Sequence, residues 1–491
     1  MKTSDELLED PIGDALAVES LPPSAEAARA VRHWRTPAII GSAMLMQSLE
    51  GNVISNALPA MAKAFHEDPL RLNVAITMFL LATAVSLPLS GWIADKYGAK
   101  RIFMLSIVLF ALSSAGCGFA QNLPQLIVGR LAQGVAASMM APVGRLVLLR
   151  TTPKNELIGA MAVLTMPTLL GPLIGPILGG AIVTFADWRW IFYINLPIAV
   201  LGVIMVHAFV PDVKEQTVSP LDVIGIALTG IGLAALIFGF ESLGRDVLPP
   251  LEVVGLFGLA VVALSLYWLH ARRNPHAIID LSVFRLRTFS ASVVGGAFPR
   301  MTMGAIPFLL AMLLQVSFGM SAFAAGTMTF IAALGALLMR STAPRLLRWF
   351  GFRTVLLVNS LIVAATFMAF ALLNPETPHW LVMAILGFSG FFRALLFTTL
   401  QGLTYAEVEQ DRMSRASTIS AMGLQLVQSI GVGLAASMLH VLMDAKGVTH
   451  LTTDILRPVF VAGGFFSLIS MWWFYALPKD AGDELHRRTR R

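Results

Sequence analysis

The sequence predicts an all-α membrane protein: two bundles of six spanning helices with two further helices inserted between them. Three observations predict it. About fourteen apolar stretches are each long enough to cross a bilayer, since roughly 20 residues rising about 1.5 Å apiece cover a hydrocarbon layer of about 30 Å. Composition agrees: 56% of the 491 residues are hydrophobic and 13% are charged, with a mean hydropathy of +0.74, so lipid is the main solvent. The stretches lack period-2 alternation and outrun a barrel strand, which leaves helices as the spanning element.

The first six spans read Pro37 to Leu58, Leu72 to Ala94, Ile102 to Ala120, Pro124 to Leu149, Leu157 to Phe185 and Trp188 to Val210. Leu221 to Leu243 and Leu251 to His270 are the inserted pair. The second six read Phe289 to Leu314, Ala322 to Met339, Val355 to Leu373, Trp380 to Gln401, Ala416 to Met443 and Pro458 to Leu477. The chain therefore divides into an N-terminal tail (1–36), a first bundle (37–210), the insert (211–271), a second bundle (272–478) and a basic tail (479–491). Met1 to Pro23 is acidic, has little to bury and is expected to be disordered. It is not expected to be a signal peptide, because no apolar core precedes Pro37.

Orientation follows from Lys and Arg, which stay on the cytoplasmic side of a span. Arg29, Arg32 and Arg35 precede the first span, Lys96, Lys100 and Arg101 follow the second, and Arg150 and Lys154 follow the fourth. Arg272, Arg273, Arg285 and Arg287, then Arg345, Arg348 and Arg353, then Arg412 and Arg415, and finally Arg487, Arg488, Arg490 and Arg491 continue the pattern. Both termini are expected inside. The net charge of +6 and pI near 9.7 are thus topology signals and do not indicate nucleic-acid binding. A single Cys117 in an apolar span excludes a disulfide framework and a Cys-based metal site. Neither GxxxxGK[ST] nor HExxH occurs, and no nucleophile and base pair stands out, so an enzyme, a cofactor or a metal is not expected.

The chain repeats itself weakly. GWIADKYGAKR, Gly91 to Arg101, is echoed by PRLLRWFGFRT, Pro344 to Thr354, each after the second span of its six. Both copies keep a glycine, Gly98 and Gly351, while Asp95 corresponds to Arg348. In the fifth span GPLIGPILGG places Gly171, Gly175 and Gly179 on one face, where a neighbouring backbone approaches closely, with Gly180 beside them. Pro172 and Pro176 remove intrahelical donors and bend the span, so the segment is expected to be a hinge surface.

Charges within spans need a reason, because an Arg at mid-membrane costs about 2.5–3.5 kcal/mol on the insertion scale. Glu50 in the first span and Arg130 in the fourth lie at comparable depth, so the two are expected to pair. Desolvation and the arginine act in opposite senses on the carboxylate, which suits a group that loads and releases a proton; a permanent structural ion pair is the competing reading. Arg145 lies near the inner face, where it snorkels; Glu241 lies near the outer end of the seventh span. Arg300 and Arg393, with Asn52, Gln133 and Gln315, are expected on a substrate cavity, whose excess of arginines favours an anion or carboxylate-bearing molecule. The alternative for Arg300 and Arg393 is to satisfy carbonyls of broken helices.

These motifs resemble the major facilitator superfamily, and within it the fourteen-span drug:proton antiporter branch of the EmrB/QacA type. The Gly91 to Arg101 loop resembles the signature between spans two and three, with Gly91, Asp95, Gly98 and Arg101 as a gating loop. LIVGRLAQGVAA, Leu126 to Ala137, resembles the span-four motif around an arginine, and GPLIGPILGG resembles the antiporter motif of span five. WRWIFYINLP, Trp188 to Pro197, is similar to the branch's entry to span six, and LEGNVISNALP, Leu49 to Pro59, is similar to LDxTIVNVALP with Glu50 in place of aspartate. The resemblance covers nearly the whole chain. It implies proton-coupled export by alternating access in the inner or plasma membrane, with small molecules and protons as partners and either a periplasmic adaptor or a monomer. Two other classes stay open: a gradient-driven importer of organic anions, and a transporter-like ligand sensor.

Overall fold

The computed structural model describes residues 23–151, 157–211, 220–242, 248–274, 277, 279, 281–408, 413–448, 450–478 and 481. Among them there is no strand, and the chain runs as helices α1 (Pro23–Phe65), α2 (Val74–Tyr97), α3 (Ala99–Phe119), α4 (Leu123–Thr151), α5 (Leu157–Phe185) and α6 (Trp190–Phe209). The insert supplies α7 (Val223–Ser242) and α8 (Pro250–Arg273). The second set is α9 (Arg287–Ser317), α10 (Ala322–Met339), α11 (Arg345–Leu372), α12 (His379–Tyr405), α13 (Met413–Lys446) and α14 (Thr453–Tyr475). Twelve helices among the described residues are long and apolar enough to cross a membrane. Adding α1 and α5, of 43 and 29 residues, brings the number to about fourteen.

The two echoed turns adopt the same backbone solution. Gly98 separates α2 from α3 at φ 96°, and Gly351 breaks the rod Ala322–Ala369 at φ 71°. Both angles disfavour any residue with a Cβ, so the shared glycine has a steric cause.

The hydrophobic core divides along the length of the bundle. At the end away from the glycine turns, one buried cluster joins the two sets, running from Val53, Leu58 and Met61 of α1 through Phe308 and Leu313 of α9 to Ala325 of α10 and Phe460 of α14. Toward the glycine-turn end the cores separate. Phe103, Phe110, Met140 and Val206 belong to a cluster of the first set, whereas Met339, Leu356, Leu396 and Phe474 belong to one of the second.

Two seams join the arms. Along one, α5 meets α10: a methyl added at Gly180 would collide with the Ala322 carbonyl, Phe323 N–H donates to Thr184 Oγ1 at 3.0 Å, and the Phe185 and Phe323 rings stack edge-on at 5.5 Å. Along the other, α2 meets α13 directly, with Ser429 Oγ donating to the Thr77 carbonyl at 3.2 Å, and α7 packs against both. Ile237 packs with Met78, Leu81 and Ile430, Leu233 packs with Leu87 and Met422, and Ser437 Oγ donates to the Phe240 carbonyl at 3.1 Å. α7 of the inserted pair therefore lies along the seam between the bundles, while α8 packs on α7.

Candidate functional site

Glu50 and Arg130 meet inside the first bundle. Their residues are 2% and 0% exposed, and Arg130 Nη1 lies 2.7 Å from Glu50 Oε1. The same Nη1 donates to Gln133 Oε1 at 2.7 Å, Nε donates to the Ala75 carbonyl at 2.9 Å, and the guanidinium sits 4.3 Å from the Phe79 ring centroid. Bidentate or multiply bonded geometry of this kind is what makes a charge tolerable in hydrocarbon. The second carboxylate oxygen has its own donor: Asn195 Nδ2 lies 2.7 Å from Glu50 Oε2 and also 3.0 Å from Ser114 Oγ, which donates to the Phe192 carbonyl. Asn195 and Ser114 were not singled out from the sequence. A lone amide in the entry to span six, next to the bulky run Trp190 to Tyr193, is the signal that could reveal Asn195.

A central cavity of about 470 Å³ lies between the arms, inside the range of small-molecule sites. The first bundle contributes Gln47, Ser48, Phe79, Arg130 and Arg145, and the second contributes Met303, Phe308, Gln425 and Gln428. No Asp or Glu is among the described lining residues.

The remaining expectations fall in different places. Gln133 sits behind the cavity wall, bonded to Arg130. Gln315 lies in the π-helical turn Met312–Ser317 and donates to the Asn56 carbonyl at 3.1 Å, so it ties α9 to α1 at the closed end. Arg300 is 5% exposed and donates through Nη1 to the Ser292 carbonyl at 2.7 Å. Ser292 belongs to the π-helical turn Ala291–Gly295, whose changed register leaves a carbonyl for the guanidinium. Half-buried Arg393 on α12 has a buried Nε with no hydrogen-bond partner, and it too stands outside the cavity lining. Glu50 and Gln133 thus sit together behind the cavity wall, Gln315, Arg300 and Arg393 lie elsewhere, and the expected arginine cavity is corrected to one that carries Arg130 and Arg145. The side chains of Asn52 and Glu241 lie outside the described residues.

In α5, which packs against both α1 and α10, Gly171 faces Ser48 and Gly179 faces Val53 of α1. Pro172 and Pro176 lie within one continuous helix, and the Pro176 carbonyl accepts from Asn56 Nδ2 at 2.9 Å. Gly175 is buried in the same face. In the gating loop, Asp95 and Gly91 are half-buried and Arg101 is exposed at the start of α3.

A two-armed helical bundle around a cavity lined from both arms defines a multi-pass membrane transporter. A family model described as Major Facilitator Superfamily matches residues 40–432 and 294–490, and the chain belongs to that superfamily. "Putative multidrug resistance protein MdtD" of Pectobacterium atrosepticum is 35% identical over 84% of this chain and 89% of its own length. The protein of the same name from Escherichia coli is 36% identical over 90% of this chain and 92% of its own. With the motifs, these relatives put the chain in the drug:proton antiporter branch, and it is not an enzyme. Solved structures share the fold: a D-xylose–proton symporter with TM-score 0.65 at 13% identity, covering 91% of this chain and 98% of that one. A bacterial homologue of the human lysosomal transporter Spinster, in an inward-facing conformation, gives TM-score 0.62 at 16% identity, covering 92% and 98%.

Proposed function

We propose that this protein is a proton-coupled exporter of small organic molecules in the inner or plasma membrane, working by alternating access of its two bundles. The observation that carries the reading is a carboxylate, Glu50, buried against Arg130 on the wall of a cavity shared by both arms. A carboxylate so placed exchanges a proton as the arms swing, because the arginine that lines the cavity is also its ion-pair partner. Export draws support from the names of the MdtD relatives. The basic loops at the glycine-turn end support placing that end, where the two sets have separate cores, on the cytoplasmic side from which an exporter loads. A cavity wall without a described carboxylate favours an anionic or carboxylate-bearing substrate over a lipophilic cation.

The test is flux in proteoliposomes with an imposed pH gradient. Wild type drives substrate against its gradient, whereas Glu50→Gln exchanges substrate without net proton-driven movement. Gradient-driven export by Glu50→Gln at the wild-type rate would remove Glu50 from the mechanism, and uptake driven by an inward proton gradient would make the protein an importer.

A further inference from the structure

We infer that Arg145 is the anion-recognising residue of the central cavity, which selects molecules carrying one carboxylate on an apolar or aromatic body. The inference rests on the transporter reading and adds the residue that sets its substrate class. Both lining cations sit on α4, roughly four turns apart. They differ in what they have left to offer. Arg130 is fully buried, with its charge met by Glu50 and its other bonds directed to Gln133 and the Ala75 carbonyl. Arg145 is exposed to the cavity and has no hydrogen-bond or ion-pair partner among the described residues.

With no described Asp or Glu in the lining, that guanidinium is the one charge the wall itself leaves uncompensated. Its fork of donors matches a carboxylate in two parallel bonds. The rest of the wall suits an amphipathic molecule. Leu80 and Pro307 supply apolar surface from opposite arms, and Met303 supplies an adaptable thioether. Gln425 has a buried Oε1 without a partner on the same wall, ready to accept from a hydroxyl or N–H at the far end of the ligand. A lipophilic cation would meet Arg145 with nothing to offset it.

The full-length protein in nanodiscs is tested near pH 7 with 3-(4-hydroxyphenyl)propanoate and its carboxamide, a pair that differs in charge and hardly in shape. Wild type is expected to bind the acid at least tenfold more tightly than the amide. Arg145→Gln should erase that ratio, and Arg145→Lys should restore part of it, because a point charge replaces the fork. Thermal unfolding of each variant in the same nanodiscs reports whether it is folded, and the Lys variant keeps the test alive if Gln is not. An undiminished acid preference in Arg145→Gln overturns the inference, as does a wild type that binds acid and amide equally or binds neither. A retained preference without flux in proteoliposomes would instead sink the transporter reading and leave Arg145 in its role.

Discussion

Asn195 is the side chain that turns a salt bridge into an oriented site. It donates to the Glu50 oxygen that Arg130 does not reach, and Ser114 lies beside it, so the carboxylate has a fixed plane. A hydrogen bond to a charged group contributes about 1.5–3 kcal/mol. Asn195→Ala is therefore expected to cut gradient-driven transport tenfold or more. Counterflow exchange, which needs no net proton transfer, should persist; equal loss of both rates would mean that Asn195 only holds the bundle together. The pairing of Glu50 with Arg130 was legible in the sequence, because two isolated charges in hydrocarbon at matching depth have few other places to go. For Arg300 and Arg393 the sequence leaves a cavity and a free carbonyl open as alternatives, and Arg300 takes the carbonyl. An arginine's long stem lets the head choose among a cavity, a free carbonyl and an interface, and only the packing around it makes that choice.

Among the helices, α5 and α10 form the contact that must open if the closed end is ever to face its own side of the membrane. Gly180 abuts the Ala322 carbonyl, and Gly326 abuts that of Pro176, so neither helix has a side chain to spare at the crossing. Gly180→Leu overpacks this contact at a cost of about 1–3 kcal/mol in the state described. That bias shifts the equilibrium between conformations by roughly 5- to 150-fold. In a Cys117→Ala background, a cysteine introduced as Ala325→Cys, a position now 1% exposed, should gain reactivity toward a membrane-impermeant maleimide when Gly180→Leu is added. Unchanged labelling would show that the crossing does not resist opening. The glycine and proline pattern of α5 announced a close approach; which helix approached, and that two did, came from the packing.

At the scale of the whole molecule, the proposed alternating access requires the joined end to separate. A disulfide between Thr184→Cys and Phe323→Cys, positions joined at 3.0 Å across the seam, should stop turnover, and reduction should restore it. Transport that continues at full rate in the cross-linked protein would rule out separation of α5 and α10 as part of the cycle. The inserted helices bear on the same motion. Because α7 touches α2 of one bundle and α13 of the other, the proposed rocking would require the arms to slide on it along at least one face.

The sequence by itself determined that this chain crosses a membrane about fourteen times, that its two sets of six share a turn motif, and that Glu50 needs Arg130. Hydrocarbon enforces those features locally: a span must be long and apolar, and a charge within it must find a partner. The tertiary structure alone decided where the hydrophobic cores join, where the inserted pair lies and which arginine faces the cavity. A helix that is apolar on every side carries no stripe to show which face meets a neighbour and which meets lipid. Its rotation about its own axis is fixed only when the other helices close around it.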